Sequence, residues 1–389
     1  MVAVNVLRRK AVAWMAAGIA ILALSACDVS MPGGGGPLIN TSRAVPVALL
    51  VPQSNQQSAG LAQSLENAAR LAAGDLQGAS VDLMVYDTGG TPEGATRAAQ
   101  QALDDGARIF VGPLFAEAAS AAGRVAATRG VNVMSFSNNP TVAGGNVFIL
   151  GNTFQNTADR LVRHAVNQGR GNIYIVHAQD QAEQQGADAI QRAIQANGAR
   201  LAGITSFPLS QQGVINTIPT IARDYRTSGA NSVFVTSGTA GALPFLAELL
   251  PENGIDSENS QFIGLQRLDV PSSALSLKGL QGAWFATPSP ALGQQFANRY
   301  QAVYGTIPNP VAGLAYDAIA AIGALVAQGN SNALGTDALT QGQGFAGVNG
   351  PFRLFRNGTN QRGLAVATIQ NNQVIVIDPA PRSFGGTGF

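Results

Sequence analysis

The sequence predicts an α/β protein of two doubly wound parallel-sheet lobes with a cleft between them, finished by C-terminal β-hairpin strands. Three observations predict it. Strand and helix signals alternate without interruption from residue 44 to 139, the alternation restarts at 172 and runs to 265, and the last third turns to short strands separated by Asn-Gly and Asn-Asn. Short alternating connections require parallel strands joined by right-handed crossovers, and 389 residues exceed what one core fills.

The elements follow in order. Residues 45–51 form an apolar run that ends at Pro52, Gln53 and Ser54, the pattern of a strand buried on both faces. Leu61, Leu65, Ala68 and Ala72 then share one helical face, and Gly74 and Gly78 help end that helix. A strand over 81–86 precedes a helix with Thr91 as N-cap and Pro92 in the first position, whose Ala95, Ala98, Ala99 and Ala102 make a smooth packing face. A strand over 107–111, a helix over 116–129 and a strand over 131–136 complete the first set. His164 falls on a predicted helix, and the second set alternates strands at 172–176, 200–205, 233–235 and 262–265 with helices at 184–197, 216–226 and 241–250. Phe296, Tyr300 and Tyr304 mark one further helix, and Leu314, Ala318, Ile322 and Leu325 another. Strands at 352–355, 364–370 and 374–377 then read as antiparallel, because Asn-Gly and Asn-Asn tolerate the positive φ of a tight hairpin turn.

Composition limits the partners. Charged residues are 12% of the chain and the formal net charge is +1, too little for the basic stripe that a phosphate backbone needs, so no nucleic-acid partner is expected. The single cysteine, Cys27, allows no internal disulfide and no thiolate zinc site. Arg8, Arg9 and Lys10 precede an apolar run over 11–24 that is too short to span a bilayer, as in a signal peptide covering 1–26. Leu24-Ser25-Ala26-Cys27 resembles the bacterial lipobox, which implies lipidation of Cys27 and a membrane anchor in place of a spanning helix. Asp28 resembles an inner-membrane retention signal, although the resemblance leaves inner and outer membrane open. Residues 27–43, with four glycines between two prolines, read as a flexible tether, and 381–389 as a flexible tail.

The order of two doubly wound halves, two helices and a β finish resembles the type 1 periplasmic binding fold of leucine-binding proteins over about 45–378. Val111-Gly112-Pro113-Leu114, Arg299-Tyr300, Ala315-Tyr316-Asp317-Ala318 and Gly347-Val348-Asn349-Gly350-Pro351-Phe352 carry the likeness. Within that superfamily, Val111-Gly112-Pro113-Leu114 and the stretch from Phe148-Ile149-Leu150 to Asp159-Arg160 and His164 resemble the C-terminal domain of the LpoA family of penicillin-binding protein activator lipoproteins. The resemblance implies three crossings between lobes, with 44–150 plus 283–347 in the first lobe and 151–282 plus 348–380 in the second. It implies recognition without catalysis and no cofactor. The main expectation is an activator-like lipoprotein that supports peptidoglycan synthesis by binding a penicillin-binding protein. The alternative is a lipid-anchored receptor that binds amino acids, amides or small peptides and docks on the membrane subunits of an ABC-type importer. Both place the protein in the periplasm.

Ligands of open α/β sheets bind beyond the carboxyl ends of the strands. The cleft candidates are therefore Gln53, Phe115, Ala116, Glu117, Ser137 and Asn138 in the first lobe, with Gln179, Asp180, Ser237, Thr239 and Arg267 in the second. Glu117 would repel an anionic ligand group at short range unless Arg267 offset it. His164 and His177 have no metal-ligand spacing, and the Gly342-Gln343-Gly344-Phe345-Ala346-Gly347 run precedes a hairpin, which lacks the helix a dinucleotide needs. Ser237-Gly238 lacks the nucleophile-elbow pattern.

Overall fold

A computed structural model describes residues 36–384, so the expected signal peptide over 1–26 and the expected lipidation at Cys27 lie outside the described residues. Among the described residues no helix is long and apolar enough to cross a membrane.

The first lobe is built on β1 (Val45–Val51), β2 (Val81–Asp87), β3 (Ile109–Val111), β4 (Asn132–Ser135) and β5 (Val147–Ile149), all parallel in the order β2-β1-β3-β4-β5. The sheet is covered on both faces. One face packs α1 (Ala59–Asp75), α8 (Pro290–Tyr304) and α9 (Gly313–Val326); the other packs α2 (Pro92–Asp104) and α3 (Ala116–Ala127) through the predicted alanines. Thr91 caps α2 as expected, accepting from Gly94 N–H at 3.0 Å. Tyr304 donates its hydroxyl to the Asn67 carbonyl at 2.8 Å and Tyr316, one of the landmarks of the resemblance, donates to Asp75 at 2.7 Å, so the two tyrosines dock α8 and α9 onto α1. Gly323 lets α9 pack closely on the end of α1, since a Cβ there would stand 2.3 Å from the Leu76 side chain.

The second lobe repeats the plan. It has β6 (Asn172–Ala178), β7 (Arg200–Phe207), β8 (Ser232–Val235), β9 (Gln261–Gly264) and β10 (Trp284–Thr287), parallel in the order β7-β6-β8-β9-β10. On one face lie α4 (Phe154–Asn167) and α5 (Gln181–Ala196), and on the other α6 (Gln211–Ser228) and α7 (Leu243–Glu252). Antiparallel strands β13 (Ala365–Gln370) and β14 (Gln373–Asp378) extend this sheet to seven strands, joined by Asn371 and Asn372 at φ 52° and 60°. A short hairpin of β11 (Phe352–Leu354) and β12 (Asn360–Arg362) stands apart, turning through Asn357 and Gly358.

The structure differs from the expected boundaries at four places. Residues 284–287 pair with β9 and β13, so they belong to the second sheet and not to the first lobe. Phe352 and Leu354, expected in the second lobe, are buried in the first lobe's core. The resemblance had placed both segments, and neither is long enough for its own period to correct that placement. At the amino-terminal edge, Ile39 is buried and donates its N–H to the Ser331 carbonyl at 3.0 Å, so the end of the expected tether packs on the first lobe. At the other edge, Phe384 lies under the Arg353 guanidinium, 4.9 Å from its ring centroid.

Candidate functional site

The two sheets share one strand order, and their carboxyl ends face a common space. A cavity of about 570 Å³ opens there. From the first lobe it is lined by Leu114 and Phe115 beyond β3, by Phe136, Ser137 and Asn138 beyond β4, and by Val311 and Leu314 at the start of α9. Gly151, Asn152, Thr153 and Phe154 line it where the chain crosses into α4. The second lobe adds Leu265, Gln266 and Arg267 beyond β9, with Ala286 and Leu364, and the later crossovers bring Pro288, Asn349 and Arg362. Gly112 makes the exit from β3 possible: its φ is 90°, and a Cβ would stand 2.2 Å from the Leu50 carbonyl oxygen.

Phe115, Ser137, Asn138 and Arg267 among the expected cleft residues line this cavity. The others do not, and most have other partners. Gln53 is exposed and donates to Glu66 at 3.0 Å. Ala116 and Glu117 begin α3, with Glu117 exposed beside the positive end of the helix. Gln179 donates to Ser206 at 3.1 Å, and Asp180 caps α5 by accepting from the Ala182 and Glu183 N–H groups at 2.9 and 3.0 Å. Ser237 is fully buried and donates to Glu183 at 2.7 Å, while Thr239 donates to the Val270 carbonyl at 2.5 Å. Even Arg267, inside the cavity wall, is held by Asp269 through two hydrogen bonds of 2.6 and 2.5 Å. The residues outside the cavity sit at the strand ends beside the switch between β1 and β3 and between β6 and β8, whereas the cavity wall is drawn from beyond β3, β4, β5, β9 and β10, close to the crossovers.

Pattern reading missed the residues at the crossovers. Arg362 ends β12 and is 7% exposed; its Nε donates to the Leu150 carbonyl at 2.6 Å and its Nη1 to Asp317 at 3.1 Å. Asp317, wholly buried on α9, also accepts from the Val348 N–H at 2.7 Å. Burial pushes the Asp317 carboxyl up, against the opposing pull of Arg362 and the Val348 N–H. Asn360 donates to the carbonyls of Ile149 and Gly151 at 2.8 and 2.9 Å and accepts from Asn156 at 2.6 Å. Buried side chains thus tie the first crossover to the third. A signal existed in the sequence: Asp317 is the only charge in the α9 run Gly313–Val326, and a charge inside an apolar helix needs a buried partner.

Asp159, Arg160 and His164 of the activator resemblance lie elsewhere, on the α4 face of the second lobe. Arg160 and His164 both donate to Asp378, at 2.9 and 3.0 Å, and His164 stands edge-on to Trp284 at 4.7 Å. Burial lowers the His164 pKa despite Asp378. Burial would raise that of Asp378, but the bonds from Arg160 and His164 hold it below the usual carboxylate range. This is a clamp on the last strand of the sheet.

Comparison with known proteins agrees with this architecture. A family model described as periplasmic binding protein matches residues 44–373. No curated protein sequence matches the chain. Among solved structures, a proposed branched-chain amino acid ABC transporter from Rhodospirillum rubrum is similar at a TM-score of 0.73 and 18% identity, covering 86% of this chain and 100% of that one. A substrate-binding protein from Desulfitobacterium hafniense in complex with Leu gives 0.62 and 16%, covering 86% and 100%. A solute-binding protein from R. palustris in complex with benzoate gives 0.57 and 16%, covering 89% and 98%.

Proposed function

The chain belongs to the periplasmic binding protein family, and we propose that it is a lipid-anchored substrate-binding receptor of an ABC-type importer, taking a small solute between its lobes. The observation that carries this reading is the 570 Å³ cavity at the carboxyl ends of both sheets, whose wall combines aromatic and aliphatic side chains with hydroxyl, amide and guanidinium groups able to orient a small molecule. Family membership implies a periplasmic location. The anchor is the acylated Cys27, and the partners are the solute and the importer's membrane subunits. Solute binding would draw the lobes together and shift an equilibrium between open and closed forms, without covalent chemistry. The solved relatives named above are transport proteins. The activator reading rests on the sequence resemblance alone, and Arg160 and His164, which helped to carry it, are committed to the Asp378 clamp.

Thermal unfolding of the full chain against a panel of amino acids, amides, small peptides and organic acids tests the proposal. A true ligand at a hundred times its Kd stabilises the folded form by about 2.7 kcal/mol and raises the midpoint accordingly. A panel without effect, together with capture of a penicillin-binding protein by crosslinking in cells, would replace the receptor with the activator.

A further inference from the structure

The two large sheets end in the edge strands β2, β5, β7 and β14, and among the described residues only β14 is left unguarded. The edge at β5 is covered, since Ile149 donates its N–H to the Gly358 carbonyl of the β11–β12 turn at 2.9 Å. The edge at β2 carries Asp82 and Asp87, and the edge at β7 begins with Arg200 and is broken by a bulge at Ala202. Charges and bulges of this kind keep an exposed edge from pairing with another chain. In β14, Gln373 to Ile377 hold no charge and no proline, and the pairing with β13 is regular from Gln373 to Val376. Ile375, Val376 and Ile377 are 38–40% exposed.

The hairpin fixes which backbone groups this edge offers. Asn371 and Asn372, both at positive φ, form a two-residue turn, so Gln370 and Gln373 exchange hydrogen bonds. The alternation of an antiparallel ladder then turns the N–H and C=O of Ile375 inward to β13 and those of Val374 and Val376 outward. Among the described residues nothing else bonds to those outward groups. The Val374 and Val376 side chains line a groove with Phe296, Ile307 and Pro308 of the first lobe, and Ile307 is 76% exposed. The charged pair in that groove, Arg267 and Asp269, is closed on itself. An added strand takes up both features, its main chain on the edge and its side chains beside the groove.

The strand is its own complement. A two-fold axis through Ile375 sets Val374 opposite Val376 of a second copy, and every outward N–H and C=O then finds a partner. Gln373 falls opposite Ile377, so no like charges meet, and the next charge, Asp378, is held by Arg160 and His164. We propose that β14 docks a second copy of this chain, the two strands pairing antiparallel about Ile375 so that the second-lobe sheets of both copies run on into each other. The pairing needs no solute and stands or falls apart from the receptor reading.

The variant Ile375→Cys in the full chain tests it. Facing residues of a non-hydrogen-bonded antiparallel pair stand about 4.5 Å apart at Cα, a separation that a disulfide spans, so mild oxidation should link two chains there. Cys27 is the one native cysteine, so the unsubstituted chain sets the background, and Ile204→Cys on the β7 edge, as exposed as Ile375, should stay at that background. Sedimentation of the unsubstituted full chain should show a dimer. Ile375→Lys, which puts like charges face to face, should weaken it at least about tenfold while circular dichroism still reports the fold. A monomeric chain overturns the inference. So does a dimer that Ile375→Lys leaves intact, or crosslinking of Ile204→Cys as strong as that of Ile375→Cys.

Discussion

The two walls of the cleft handle their polar groups differently. In the second lobe, the strand-end residues Asp180, Ser237, Thr239 and Arg267 are engaged with a helix terminus, Glu183, the Val270 carbonyl and Asp269. At the crossovers, Arg362 Nη2 is buried with no hydrogen-bond partner among the described residues, and its guanidinium lies over the Phe352 ring at 5.0 Å. A polar side chain in the right place is thus a ligand group only if the surrounding protein has not already used it, and the buried hydrogen-bond accounting decides this more sharply than position does.

The largest test of that contrast is Arg362→Met, which strands Asp317 in the core and should cost about 3–5 kcal/mol in denaturant unfolding. Adding Asp317→Leu should recover most of the loss; if the double variant is as unstable as the single one, the ion pair is not what the crossovers depend on. A smaller effect is expected in the second lobe. Glu183→Ala leaves the buried Ala178 N–H, Thr236 and Ser237 without their acceptor and should cost about 2–3 kcal/mol. The affinity of any cleft ligand, measured by titration on the folded variant, should stay the same, and a change beyond threefold would make Glu183 part of the site.

The smallest effect concerns pH. His164 has a lowered pKa in the folded protein, so the unfolded chain binds its proton first as pH falls through about 6.5. Stability is then complete above that value and declines on acidification toward the folded-state pKa, by at most about 1.4 kcal/mol per pH unit for this group. The depressed Asp378 adds its own loss at lower pH, as its carboxylate becomes protonated. Melting curves from pH 7.5 to 5.5 should show the decline, and His164→Gln should flatten it; an unaltered slope would locate the titrating group elsewhere.

Much of the fold was legible because buried parallel strands read as unbroken apolar runs and the alanine faces of α2 repeat at helical spacing. Val45–Val51 and the Asn371-Asn372 turn appear where the pattern put them. Val147–Ile149 and Trp284–Thr287 do not announce themselves, since three or four residues carry no period, and the second of these moved a lobe boundary. The site was legible only in part. Phe115, Ser137, Asn138 and Arg267 follow from the strand-end rule. Arg362 lies on a hairpin strand far along the chain, and its partners Leu150 and Asp317 become neighbours only after folding.

One consequence lies at the other end of the molecule. Ile39 is fastened to the loop after α9, and Leu334 of that loop accepts from Asn132 at the start of β4, so the leader joins the first lobe at the end opposite the cavity. In the receptor proposed above, a pull on the amino terminus would therefore be borne by the first lobe alone, and the second would be joined to it only through the crossovers.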